Sequence, residues 1–287
     1  MENSIQEKVL IVRLHISKYN PWGYDREAAR KVAQIENSKE SDVHTTKRKI
    51  SKKAIQEISD LLNKAYTYHI SVTMPSGAEG DRLITTDMYP AYCQRMNSFQ
   101  VQVNAAVDRF IPEYPSWISE AQERLQGLFK DSDYPSVNEI SSKFSLRYSF
   151  LPLPSVNNIV VDLVNGELSK IKQSVTEEMN KMSATAMKSL WDRTYDAIAH
   201  MAEILGNSEA RLHATLISNV GVLCGVLKSL NFSNDPELES LRMKIETRLA
   251  GRDPEELRKN RSIRLEVAED AKAIVAEISE KRKLRVD

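Results

Sequence analysis

Apolar residues recur every three or four positions through the second half of the chain: Val164, Leu168, Ile171, Val175, Met179, Met182, Ala186, Leu190, Ile198, Met201 and Leu205. That spacing lines them up on one stripe of an α-helix. A helix from Leu163 to Leu205 is roughly 60 Å long at ~1.5 Å per residue. Gly206-Asn207-Ser208 reads as a stop and a start, with Gly206 in a left-handed C′ position and Ser208 capping the next helix. Leu212, Leu216, Val220, Leu223 and Leu227 repeat the stripe, which predicts a long antiparallel helical hairpin. The second helix covers only part of the first, so the remainder needs the N-terminal half or another copy of the chain. Asp235-Pro236-Glu237 and Asp253-Pro254-Glu255-Glu256 each place a cap, a proline at N1 and acid in the first turn. They predict one helix to Ala250 and another from Pro254 to near Arg282. The latter carries Leu257, Ile263, Leu265, Val267, Ala271, Ile274, Val275 and Ile278, a stripe suited to a coiled coil or to covering the bundle.

The first half is mixed. Val9 to Ser17 reads as a strand, with Val12, Leu14 and Ile16 on one face. Asp25 caps a short helix to Ile35, and Asn37 to Thr46 is a polar loop. Ser51 to Tyr66 is helical, burying Ile55, Ile58, Leu61, Leu62 and Ala65. The β-branched stretch Tyr68 to Met74 and the segment Arg82-Leu83-Ile84 predict a hairpin around the turn from Pro75 to Asp81. A helix then carries Tyr89, Tyr92, Met96, Phe99, Val103, Ala106, Val107 and Phe110, with a boundary or kink at Pro112. Another opens at Pro115-Ser116-Trp117 and ends near Phe129. A short helix over Ser136 to Phe144 precedes a strand over Ser145 to Leu151. The pattern is that of an α+β protein, predominantly helical. A mixed domain with a short sheet (1–156) precedes the helical hairpin and C-terminal helices (157–287).

Composition narrows this further. The chain is 41% hydrophobic, enough for a core, and its 40 basic residues balance 40 acidic ones. Overall charge therefore argues neither for nor against nucleic acid, and only local clusters can. Cys93 and Cys224 lack a zinc-like spacing and fit core thiols in a reducing, cytoplasmic setting. The first residues lack the pattern of a secretory signal, and no run of ~18 apolar residues suggests a membrane span.

Candidate chemistry is sparse. Lys47, Arg48, Lys49, Lys52 and Lys53 form the densest basic cluster, able to contact phosphates with help from Arg258, Lys259, Arg261 and Arg264. The competing reading is a solvated face, because no aromatic residue is interleaved for base stacking. Gly77 and Gly80 do not make a phosphate-binding loop, since Asp81 follows where Lys is required. Asp131-Ser132-Asp133 reads as a turn and not a calcium loop. His200 with Glu203 and Glu209 with His213 flank the expected hairpin turn, but their order is not that of a di-iron bundle; helix-dipole roles are favoured. His15, His44 and His69 complete no zinc motif or triad. No catalytic, cofactor-binding or metal-binding residues are assigned.

The first half also carries a resemblance. Its ordered signatures are Tyr68-His69-Ile70-Ser71-Val72-Thr73, Gly80-Asp81-Arg82-Leu83, Phe110-Ile111-Pro112-Glu113-Tyr114, Leu128-Phe129, Asp133-Tyr134-Pro135, and Phe144 leading into Phe150-Leu151-Pro152-Leu153-Pro154. Together they resemble a family of uncharacterised proteins encoded by tailed bacteriophages and related mobile elements. Some of those relatives are encoded near MoxR-type AAA+ ATPases and von Willebrand factor A proteins. The resemblance implies a phage-encoded protein in the host cytoplasm and no reaction. Beyond packing, Arg82 is a candidate partner for a buried carboxylate. The expected function is protein interaction through helical surfaces, by an adaptor, structural component or inhibitor and not an enzyme. Its expected partners are a second copy or a phage or host protein, an AAA+ ATPase among them. Met179, Met182, Ile263, Val267, Ile274 and Ile278 are the candidate interface. The alternative is nucleic-acid binding in phage DNA metabolism through Lys47 to Lys53.

Overall fold

The computed structural model describes residues 5–155 and 167–283. The chain is α+β and predominantly helical. In order, its elements are α1 (Ile5–Lys8), β1 (Val9–Ser17), β2 (Trp22–Tyr24), α2 (Arg26–Ile35), β3 (Thr46–Arg48), α3 (Gln56–Val72), β4 (Met74–Pro75), β5 (Asp81–Thr85), α4 (Tyr89–Leu125), α5 (Val137–Ser142) and β6 (Ser145–Pro152). The helices α6 (Glu167–Gly206), α7 (Ala214–Leu230), α8 (Pro236–Ile245), α9 (Pro254–Lys259) and α10 (Arg261–Lys283) follow, with a π-helical turn at Glu246–Ala250 after α8. One sheet has the order β4-β5-β1-β6, and β2 and β3 form a separate two-stranded ribbon.

Contacts gather the chain into two compact units. The first holds residues 1–13, 70–92 and 149–287; the second holds 14–69 and 93–148. This division differs from the single cut at 156/157 that the change of pattern suggests, and that cut falls at the edge of residues 156–166, outside the described ones.

In the first unit, β5 pairs antiparallel with β1 from Val9↔Thr85 to Arg13↔Asp81, and with β4 through Met74↔Leu83. Val9, Ile11, Met74 and Leu83 bring the sheet into a core otherwise built by the helices, and Leu153, just after β6, joins them. Along α6 the side chains of Met182, Ala186, Leu190, Ile198, Met201 and Leu205 are buried, as their spacing predicts. The long companion of α6 is α10, not α7, which packs mainly on α8 and the π turn. The pair is antiparallel. Arg264 near the start of α10 reaches Leu205, while Arg282 near its end pairs with Asp192 at 2.7 Å and stacks on Tyr195. Val267, Ala271, Ile274 and Ile278 line the buried side of α10. In the second unit the core is formed by Ile50, Ile55, Ile58, Leu62 and Ala65 with Met96, Phe99, Val103, Phe110, Tyr114, Ile140 and Phe144.

The caps read from the sequence at Asp25, Asp235 and Asp253 hold, and the one at Ser208 does not. Asp25 accepts from the Ala28 amide at the start of α2. Ser136 and Glu139 form a reciprocal capping box on α5. Asp235 and Asp253 cap α8 and α9 with proline at the first position.

Other expectations give way to tertiary packing. Tyr68 to Val72 is not a strand but the last turn of α3, where Ile58, Leu62, Ala65, His69 and Val72 are buried at helical spacing; burial of that stripe overrides the β-propensity. Pro112 and Pro115 lie inside α4, which runs unbroken to Leu125. Tyr114 between them is fully buried and donates its hydroxyl to Pro135 O at 3.1 Å, and Phe110 packs on Tyr114 and Phe144, so the helix is held through the prolines by its buried face. The loop expected to Thr46 ends in β3. α7 starts at Ala214 and not at Ser208. The helix expected from Pro254 to Arg282 is interrupted at Asn260, whose extended backbone ends α9 and whose side chain accepts from Ser262 and Ile263 to start α10. Gly206 is not among the positive-φ glycines. The end of α6 is closed by Arg264, which donates to the carbonyls of Ile204, Leu205, Asn207 and Ala210 at 2.7, 3.0, 2.6 and 3.1 Å.

Candidate functional site

The basic cluster in the second unit does not form one face. In β3, Lys47 lies opposite Gly23 of β2 and Arg48 lies opposite Trp22. Neighbouring strand positions point to opposite sides, so the two cations part company. Lys47 turns inward and is 6% exposed. Its ammonium donates to Leu128 O at 2.6 Å and meets Asp25 Oδ2 at 2.9 Å and Asp133 Oδ2 at 2.7 Å. Its charge is thereby matched within the fold. Burial alone would push the Lys47 pKa down, but the hydrogen bonds to Asp133 and Asp25 outweigh it, and the net shift is upward. The Asp25 carboxyl is held below its usual range, first by the Ala28 amide and then by Lys47. Lys47 is thus a structural cation and not a phosphate contact, which corrects the sequence expectation. Asp133, read as turn chemistry, supplies one of its counter-charges.

The rest of the cluster is dispersed. Lys49 is half-buried, with its ammonium 4.8 Å from the Tyr19 ring centre and its pKa lowered by burial. Lys52 and Lys53 are exposed at the 3₁₀ turn before α3. Arg48 is exposed and lies 4.6 Å over the ring of Trp22, which is itself 46% exposed. Tyr24, 50% exposed, stacks on His44 at 4.5 Å. The outer face of the ribbon therefore sets Trp22 and Tyr24 beside Arg48 and His44. The aromatic residues that seemed missing from the basic run are supplied by the opposite strand. A polar cleft of about 690 Å³ adjoins Tyr24, lined in part by Asp25, Arg26, Arg30, Lys130 and Asp133.

Two of the four helper cations of the first unit are also engaged. Arg258 donates to Leu212 O and pairs with Glu255, and Arg264 closes α6. Lys259 and Arg261 are exposed at the break between α9 and α10. Arg82 donates to the Thr73 hydroxyl and carbonyl.

Five of the six expected interface residues are not available to a partner. Met182, Val267, Ile274 and Ile278 are in the core, and Ile263 is packed against it. Their stripe is used within the chain, because α10 lies along α6. Only Met179 falls outside that core, half-buried and in contact with Gln6. Ahead of it, the first four turns of α6 are different: Leu168 and Val175 are half-buried and Ile171 is 37% exposed, while burial starts at Met182.

His200, Glu203, Glu209 and His213 are all exposed. Among the described residues no group of three or more His, Cys, Asp or Glu side chains is placed to hold a metal. Gly77 and Gly80 adopt positive φ in the turn between β4 and β5, and Asp81 after them pairs with Arg13. Cys224 is buried, with its thiol pushed up to about 11 by burial, and Cys93 is half-buried. Among the described residues no helix is long and apolar enough to cross a membrane.

Comparison with protein-family models, with curated proteins and with solved structures found no match to this chain.

Proposed function

We propose that this chain is an interaction or assembly protein (an adaptor, a structural component or an inhibitor of another protein) and that its docking element is the first four turns of α6. The observation that supports this reading is the change along a single helix. One continuous stripe runs from Leu168 to Leu205, and among the described residues the core takes it up from Met182 onward.

Magnitude constrains the partner. Full burial of a side chain such as Ile or Leu contributes about 1.5–3 kcal/mol. Leu168, Ile171, Val175 and Met179 are already partly covered, so they supply only part of that. Association costs on the order of 4–15 kcal/mol in lost freedom. The stripe alone supports a weak contact, and a stable one must engage the flanking charges Lys170, Lys172, Glu177 and Glu178 as well. The occupant is a second copy or a phage or host protein, and the resemblance to phage-encoded proteins with AAA+ ATPase neighbours makes such an ATPase a reasonable first partner to test. The test is sedimentation of the full chain across concentration, alone and with that ATPase. Ile171→Glu and Val175→Glu are expected to abolish association while leaving the helical circular dichroism unchanged. Association unaffected by both changes would remove α6 from the reading, and a strict monomer that binds no partner would remove the reading itself.

A second reading rests on the ribbon. Aromatic faces beside cations suit single-stranded nucleic acid, where base stacking contributes about 1–3 kcal/mol per base. Trp22→Ala and Arg48→Ala are expected to weaken binding of a fluorescent single-stranded oligonucleotide. Unchanged anisotropy of the oligonucleotide at low salt would remove this reading.

A further inference from the structure

Between the end of α6 and the start of α7 lies a cleft of about 400 Å³, lined by Arg211, Leu212, His213, Arg258 and Arg264. Three of its five lining side chains are guanidinium groups and none is acidic. The arrangement has a local cause. The segment from Asn207 to Leu212 is not helical, so its carbonyls make no helical hydrogen bonds. Arg264 satisfies those of Asn207 and Ala210, and Arg258 that of Leu212 at 2.9 Å.

Neutral carbonyls hold a guanidinium in place without cancelling its charge. Arg264 forms four such bonds through Nε and Nη2, and no carboxylate among the described residues pairs with it. Its Nη1 has no acceptor among the described residues. Arg258 shares its charge with Glu255 through Nη1, which leaves Nη2. Arg211 is exposed and has no ion pair among the described residues. Two guanidinium groups are therefore fixed by backbone, and a third is free to close over whatever they hold. Fixed donors lose little freedom on binding, and guanidinium forks suit planar or tetrahedral oxyanions.

Two further features agree with this. α7 begins at Ala214 with His213 as its cap residue, but no side chain caps it and its first turn holds no acid. Its leading amides and the positive end of its dipole are thus without a built-in anion. We propose that this cleft binds a phosphate group, as the free ion or as a phosphate monoester, through Arg211, Arg258 and Arg264. The site is independent of α6's first turns and of the ribbon, so it stands whether or not either functional reading does.

The test is calorimetric titration of the full chain at low ionic strength with inorganic phosphate, O-phosphoserine and, as a control, acetate. Saturable binding of one phosphate per chain is expected, with acetate much weaker. Tighter binding of O-phosphoserine assigns a monoester, and equal binding assigns the free ion. Arg211→Ala is expected to weaken phosphate about tenfold or more, as loss of a charged hydrogen bond does, with Arg211→Lys recovering part of the loss. His213→Asp places a carboxylate at the cap, where it competes with the ligand; binding is expected to vanish while the melting temperature in the absence of phosphate is kept or raised. Should His213→Asp fail to fold, Arg211→Ala with the lysine rescue still decides. Absence of saturable binding overturns the proposal, as does phosphate binding indifferent to both Arg211→Ala and His213→Asp.

Discussion

Replacing Lys47 by methionine is the sharpest test of how the second unit is held. Methionine keeps an unbranched apolar stem of similar length and removes the ammonium. Two carboxylates lose their counter-charge: Asp25, whose side chain is 2% exposed, and Asp133, at 27%. At 2.7–2.9 Å each pair attracts by about 6 kcal/mol in an effective dielectric of ~20. Desolvating each ion costs several kcal/mol, so the net worth of the group is far smaller than the sum of its attractions. Removing one partner is another matter, because it leaves buried charge unmatched, at about 3–5 kcal/mol. Lys47→Met should destabilise by that amount in urea denaturation at neutral pH. Asp133→Asn should cost less, about 1–2 kcal/mol, since the amide oxygen still accepts from Lys47 and the side chain is partly solvated. Acidity supplies an independent readout. The folded Asp25 carboxyl titrates below its unfolded value of about 3.9, so its contribution is complete above that value and fades as pH falls through the lower folded one. Lys47 titrates above its unfolded value of about 10.4, so its contribution is complete below that and fades only in stronger base. Wild-type stability from this group is therefore flat between those limits. A loss under 1 kcal/mol for Lys47→Met at neutral pH would refute the reasoning and return Lys47 to the exposed basic face.

Other perturbations separate structural from available positions. Leu190→Ala should cost about 2–5 kcal/mol, while Ile171→Ala on the same helix should cost well under 1 kcal/mol, measured by chemical denaturation; equal losses would mean that the start of α6 is covered. Arg264→Met should destabilise by about 2–3 kcal/mol by leaving the carbonyls at the end of α6 unmatched, and Arg264→Lys should restore little because a single ammonium nitrogen cannot take the places of both Nε and Nη2. Cys224, with its thiol raised to about 11 by burial, should resist alkylation by iodoacetamide at pH 8 until the chain is unfolded; rapid labelling in the native state would contradict its burial.

Much of the architecture was legible in the linear order of residues, and the legible part has a common character. Asp25, Asp235 and Asp253 cap helices through amides two or three positions away, as read from the sequence. The α6 stripe and the β1 alternation follow from helical and extended geometry alone. Such signals act within one turn or one strand, so neighbouring residues suffice to state them. The same holds for the predominantly helical α+β class.

The candidate sites were less legible, because each depends on a partner far along the chain. Nothing near Lys47 announces that Asp133 will reach it, and nothing near Arg48 announces Trp22; both follow from β3 pairing with β2. Val267, Ile274 and Ile278 make a stripe that suits an external partner as well as an internal one, and only the packing of α10 along α6 assigned it inward. Arg264 read as a surface cation until the carbonyls at the end of α6 gave it four acceptors. The sequence by itself determined the helical stripes and the caps at Asp25, Asp235 and Asp253, since those energies are local, whereas the helical state of Tyr68 to Val72 and the passage of α4 through Pro112 and Pro115 were set by burial. Which charges are neutralised, which apolar faces stay open and where guanidinium groups converge were decided by tertiary structure, since burial and ion pairing depend on what other segments bring alongside.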